Sequence, residues 1–172
     1  MRLQRVSTIY FCSLQLASQF DSESLMFDRV GRTAIGVRGI RLADKDRVVS
    51  LIVAESDDPI LTATEKGYGK RTQLDEYRAQ ARGGSGVISI KTSDRNGQVV
   101  GAIQVTDEDE MMLISDKGTL VRARASDVSI IGRNTQGVTL INIANDEALV
   151  SVAKIAETED EVSDQTDDNQ VE

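Results

Sequence analysis

The sequence predicts an all-β fold built of propeller-like blades, each of about four short antiparallel strands. Three observations lead there. Motifs recur at an interval of 50 or 51 residues. Each unit holds several short apolar or alternating runs separated by turn signals, and no window carries a convincing amphipathic helix.

The repeat can be followed residue by residue. At an offset of 51, Glu65-Lys66-Gly67 falls on Asp116-Lys117-Gly118, Arg71 on Arg122, Glu76 on Asp127, Val48-Val49 on Val99-Val100 and Ile52 on Ile103. A second marker, Arg-x-x-x-Gly-Val, recurs as Arg32/Gly36/Val37, Arg82/Gly86/Val87 and Arg133/Gly137/Val138. Within a unit, Val87–Ile90, Val99–Val105, Met111–Ile114 and Leu120–Arg124 are strand-like runs. Asn96-Gly97 reads as a hairpin turn between two of them, since a two-residue turn favours residues that accept positive φ. The Lys-Gly pairs at 66–67 and 117–118 read as tight turns for the same reason. Pro59 stands in a turn, where its missing N–H costs no ladder bond.

This divides the chain into a divergent segment 1–24, a repeat body 25–156 with units at about 31–77, 78–128 and 129–156, and a tail 157–172. About two and a half repeats make an incomplete ring. Blades without neighbours expose strand edges, so association with another copy or with the rest of a larger subunit is expected.

Composition narrows the chemistry. The chain has no His and one Cys, which removes His-dependent triads and dyads, the usual zinc sites and an internal disulfide. Six aromatic side chains, three Tyr and three Phe, leave little for a ring-lined ligand pocket, and no small-molecule substrate is expected. No run approaches the length of a membrane span, and Met1–Ser18 makes a poor signal peptide because Ser13 and Gln15 interrupt its apolar part. A reducing cytoplasm fits the cysteine usage. Net charge is −8, but residues 157–172 carry eight acids and no base, so the body balances 20 cations against 20 anions. The tail is too polar to bury a core and is expected to be disordered.

GRTAIGVRGIRL (31–42), VVSLIVA (48–54), ILTATEKGYGKRT (60–72), RGGSGVISIK (82–91) and GTLVRARASDVSIIGRNTQGVTLI (118–141) resemble the last blades of the C-terminal domain of the DNA gyrase A subunit. The resemblance runs from about Leu25 to the end and includes the acidic tail. It implies a β-pinwheel, a propeller variant whose rim binds and bends duplex DNA within an enzyme that supercoils DNA using ATP. The partners it implies are the gyrase B subunit, together with the remainder of the gyrase A subunit. It further implies a nucleoid-associated location, and ATP and Mg2+ held elsewhere in the holoenzyme, with no cofactor or metal on this chain. The family's Gln-Arg-Arg-Gly-Gly-Lys-Gly box has a degenerate counterpart in the loop Gln80, Ala81, Arg82, Gly83, Gly84, Ser85 and Gly86. Tyr10, Tyr68 and Tyr77 each lack the Arg that the family places before its nucleophile. The chain is therefore expected to be a non-catalytic fragment.

Duplex DNA is a line of negative charge, so affinity without sequence preference needs only spaced cations. A blade repeat supplies the spacing. Arg32, Arg82 and Arg133 form one candidate row, Lys66 with Lys117 and Arg71 with Arg122 form others, and Arg38, Arg41, Lys70, Lys91 and Arg124 thicken the stripe. The bland reading of any one of them is a solvated charge guarding a strand edge. In the loop at 80–86, missing side chains let backbone N–H groups approach phosphate, or the glycines serve a blade crossing that needs positive φ. The acidic tail competes with phosphate for the rim, or serves only solubility.

Rival readings are a protein-interaction propeller without DNA binding, a carboxylate-based glycosidase using Asp107-Glu108-Asp109-Glu110, and the related C-subunit domain of topoisomerase IV.

Overall fold

The computed structural model describes residues 8–12 (backbone only), 33, 35, 38–44, 46–54, 56–78 and 83–155. Arg32, Gly36, Gln80, Arg82 and the whole acidic tail lie outside the described residues.

Among the described residues nine strands form three sheets. β1 (Thr8–Cys12) pairs in parallel with β2 (Val48–Val53). The second sheet runs β5-β3-β4-β8, with β3 Ile60–Thr64, β4 Tyr68–Thr72, β5 Val99–Gln104 and β8 Val138–Thr139. The third runs β7-β6-β9, with β6 Glu110–Ser115, β7 Leu120–Arg124 and β9 Leu149–Lys154. Pairing within the second and third sheets is antiparallel. The four-stranded sheet is thus assembled from three successive sequence units rather than one.

The Lys-Gly turns behave as their residues dictate. Gly67 (φ 75°) closes β3 to β4 with its N–H on the Thr64 carbonyl, 3.0 Å, and Gly118 (φ 86°) closes β6 to β7 on Ser115, 3.2 Å. Each hairpin is followed by a short 3-10 turn, Leu74–Glu76 and Ala125–Asp127, again 51 apart. Pro59 precedes β3, and its carbonyl accepts the Val105 N–H at 3.1 Å.

One expected strand is absent. Val87–Ile90 makes no ladder. Ser89 is buried instead, its hydroxyl 2.7 Å from the Tyr77 hydroxyl and 3.2 Å from Thr62. The Asn96-Gly97 turn therefore joins a loop to β5, not two strands. It is held by the buried Asn96 amide, which donates to the carbonyls of Lys91 and Gln136, 3.0 Å each, while its side-chain oxygen accepts the Ser93 N–H at 2.8 Å.

The main core lies between the second and third sheets. β6 buries alternate residues, so Met111 and Leu113 pack with Leu61, Ala63, Val105, Leu149 and Val152. Each fully buried Leu or Met contributes roughly 1.5–3 kcal/mol. A second cluster, Ile52, Ile60, Ile90, Val99 and Ala102, joins β2 to the second sheet.

Candidate nucleic-acid interface

The expected cations divide into three groups. Arg38, Arg41, Lys66, Lys91, Lys117, Arg122 and Arg124 are exposed. Lys66 and Lys117 stand at equivalent turn positions. Lys66 Nζ donates to the Asp94 carbonyl, and Lys117 forms an ion pair with Asp146. Arg122 pairs with Glu110 across β6–β7. Exposed pairs of this kind contribute little to stability and exchange readily with another anion.

Lys70 and Arg71 depart from the expected outward row. Lys70 is fully buried, its Nζ donating to the carbonyls of Gly132 at 2.5 Å and Arg133 at 2.7 Å. Burial pulls its pKa down to about 8; Arg133 pushes the same way, and Glu76 opposes them. Arg71 is 4% exposed: its Nε donates to the Val128 carbonyl at 2.8 Å, and its guanidinium pairs with Asp107. The cause is coverage by the third unit, 129–156. The Arg71 N–H donates to Ser129 O at 3.1 Å, the Ile131 N–H donates to Arg71 O at 2.9 Å, and β8 pairs with Tyr68 and Gly69.

Of the recurrent Arg-x-x-x-Gly-Val set, Arg32 and Arg82 lie outside the described residues. Arg133 is half-buried and does not point outward as expected. One terminal nitrogen donates to Ile88 O at 2.9 Å, its guanidinium carbon lies 6.0 Å from the Tyr77 ring centroid, and its Nε is buried with no acceptor among the described residues. Burial raises the Tyr77 pKa, against hydrogen bonds from Ser89, Thr72 and Thr62 and the charge of Arg133. Arg133 therefore works as a clasp between units.

In the box-like loop, Gly83 (φ 74°) and Gly86 (φ 76°) take the positive φ that a unit crossing demands. The Gly83 N–H donates to Gly39 O at 2.7 Å and Gly84 O accepts the Arg41 N–H at 2.9 Å. The loop ties the first unit to the second. Gln80 and Arg82 lie outside the described residues.

Three of the four carboxylates of the acidic run are committed to structure. Asp107 holds Arg71, and Glu110 holds Arg122. Asp109 accepts the Thr106 N–H and the Lys154 ammonium, each at 2.7 Å. Burial pushes the Asp109 pKa up, but those hydrogen bonds outweigh it and hold the carboxyl below its ordinary value.

Sequence reasoning missed Arg95, which is exposed and sits 4.8 Å above the Tyr68 ring. With Lys66, Thr139, Asn142 and Asn145 it lines an open groove that Glu65, Asp116, Asp146 and Glu147 also border. Its signal was weak, a lone Arg before a turn.

Comparison with known proteins follows the same repeat. A family model described as the DNA gyrase C-terminal domain, beta-propeller, matches residues 26–55, 58–106 and 109–156. The DNA gyrase A subunit of Salmonella typhimurium is 57% identical over 132 residues, 77% of this chain and 15% of that protein. The Escherichia coli protein is 58% identical over the same share of each chain. A solved DNA gyrase A C-terminal domain superposes with a TM-score of 0.65 at 35% identity, covering 70% of this chain and 41% of that one. The C-terminal domain of a DNA topoisomerase IV reaches 0.63 at 24% identity, which shows shared fold alone. Interval, sheet plan and sequence agree: the chain belongs to the C-terminal β-propeller (β-pinwheel) domain family of the DNA gyrase A subunit.

Proposed function

We propose that this chain binds duplex DNA through its phosphates, without sequence preference, and bends it along the outer surface of its units. In this reading it is the wrapping part of an ATP-dependent type IIA topoisomerase. The rest of the gyrase A subunit, the gyrase B subunit, ATP and Mg2+ act elsewhere in the holoenzyme, in the cytoplasm at the nucleoid. No helix among the described residues is long and apolar enough to cross a membrane. The carrying observation is family membership combined with cations repeated at one structural position, Lys66 and Lys117, each exposed at the tip of an equivalent hairpin. Arg38, Arg41, Lys91, Arg122 and Arg124, with Arg95 added, supply further charge. Lys70, Arg71 and Arg133 hold the units together instead.

Bending about twenty to thirty base pairs costs on the order of several kcal/mol, and a handful of phosphate contacts offsets it at moderate salt. The test is a salt titration on duplexes of unrelated sequence, with ligation of nicked circular DNA scored for linking number. Sequence-independent, salt-sensitive binding with a shift in linking number is expected. Salt-insensitive or sequence-selective binding would overturn the reading. Replacing Lys66 and Lys117 together by Ala should flatten the salt slope by about two, one for each phosphate no longer neutralised.

A further inference from the structure

Asn96-Gly97 is the one Asn-Gly pair in the sequence. Such a pair carries its own reaction, because glycine has no side chain to keep its backbone nitrogen away from the asparagine side-chain carbon. When the Gly97 N–H loses its proton, that nitrogen can attack Asn96 Cγ. The new N–C bond closes a five-membered succinimide. The Cγ–Nδ2 bond breaks, and the leaving nitrogen takes up the proton and departs as ammonia. Water then opens the ring at either carbonyl and leaves aspartate or isoaspartate in place of the amide.

In the fold each reacting group is held elsewhere. Asn96 is fully buried. The Gly97 N–H donates to the Ser93 carbonyl at 2.9 Å, and the Asn96 carbonyl accepts the Lys66 N–H at 3.1 Å, so the peptide between them is fixed at both ends. The leaving nitrogen, Asn96 Nδ2, donates to Lys91 O in the second unit and to Gln136 O in the third, 3.0 Å each. Asn96 Oδ1 accepts the Ser93 N–H at 2.8 Å. The Lys91 N–H, donating to Thr135 O at 2.8 Å, clamps the same junction. Ring closure swings the Asn96 amide toward Gly97 N and so breaks its bond to the third unit.

We propose that Asn96-Gly97 is a self-modification site that contact with the third unit keeps unreacted, and that its reaction severs that contact. An aspartate at 96 offers only acceptors to the Lys91 and Gln136 carbonyls and leaves a charge in a buried place. An isoaspartate also lengthens the backbone by one carbon inside the turn. Either product loosens the second unit from the third, so the state of Asn96 records how often that junction has opened. The inference does not rest on DNA binding.

The experiment incubates the full chain in mildly alkaline buffer, folded and in urea, and follows the peptide carrying residue 96 by mass and isoaspartate content. Conversion in the folded chain, confined to molecules whose junction is open, should be slower by about tenfold or more. Gly137→Ala places a Cβ 2.6 Å from Gly69 O and should raise the folded-chain rate. Gly118→Ala, whose Cβ meets nothing within 4 Å, should leave it unchanged. If Gly137→Ala does not fold, Thr72→Val replaces it, deleting the 3.0 Å bond to Ile131 O in the third unit. Asn96→Asp, which stands in for one product, should lower the thermal midpoint at neutral pH. Burial raises that carboxyl's pKa, so the deficit should shrink as pH falls and the protonated form regains one donor. Asn96→Ala, compared with the unsubstituted chain at each pH, should show no such recovery. Equal conversion in the folded and urea-unfolded chain, equal acceleration by Gly118→Ala and Gly137→Ala, or an Asn96→Asp midpoint unchanged at neutral pH overturns the inference.

Discussion

Lys70, Arg71 and Arg133 look like rim cations in sequence and are clasps in the fold. Arg71 and Arg122 occupy the same place in the repeat, yet one is buried and the other exposed, because among the described residues only the first has a following segment laid over it. Lys70 carries a measurable consequence. Its folded pKa of about 8 lies below the ordinary 10.5, so between those values the unfolded chain binds more protons and stability rises with pH. Urea unfolding at about pH 7.5 and about pH 9.5 should show that rise. Lys70→Met should flatten it and lower stability by about 1–3 kcal/mol, because the Gly132 and Arg133 carbonyls lose a buried donor. The neutral amine keeps two N–H groups, enough for both carbonyls, so the rise is not cancelled by lost hydrogen bonds.

At the scale of strands and turns, the two Lys-Gly hairpins and the strands at 99–104, 110–115 and 120–124 were legible from alternation and glycine placement. The segment 87–90 misled because its apolar residues pack singly: Ile90 is buried in the second core while Ile88 is 61% exposed. A short apolar run cannot distinguish a strand from a packed loop. Gly118 and Gly137 separate two uses of glycine. Both have positive φ, 86° and 82°, but a Cβ at 118 meets nothing within 4 Å while one at 137 lies 2.6 Å from Gly69 O. Gly118→Ala should cost only the backbone penalty, about 1–2 kcal/mol. Gly137→Ala should cost clearly more, since β8 must also move off β4, and thermal unfolding of the two variants side by side checks the order.

Over the whole molecule the charge is divided, with eight acids in residues 157–172 and a balanced body. If that segment competes with phosphate for the exposed cations, deleting 157–172 tightens DNA binding at low salt, and the gain fades as salt screens both partners. Unchanged affinity and salt slope would assign it to solubility alone. The sequence by itself determined the all-β class, the interval of 51, the turn positions and the family, because each depends on local residue types recurring at fixed spacing. Which cations face outward was decided only by the tertiary structure. Residues 128–139, nearly sixty positions downstream of β4, fold back over it and turn Lys70 and Arg71 from surface charges into buried ties. No such cover lies on β7 among the described residues, so Arg122 keeps its place in solvent. A side chain's exposure depends on what lies across it in space, and a one-dimensional repeat cannot carry that.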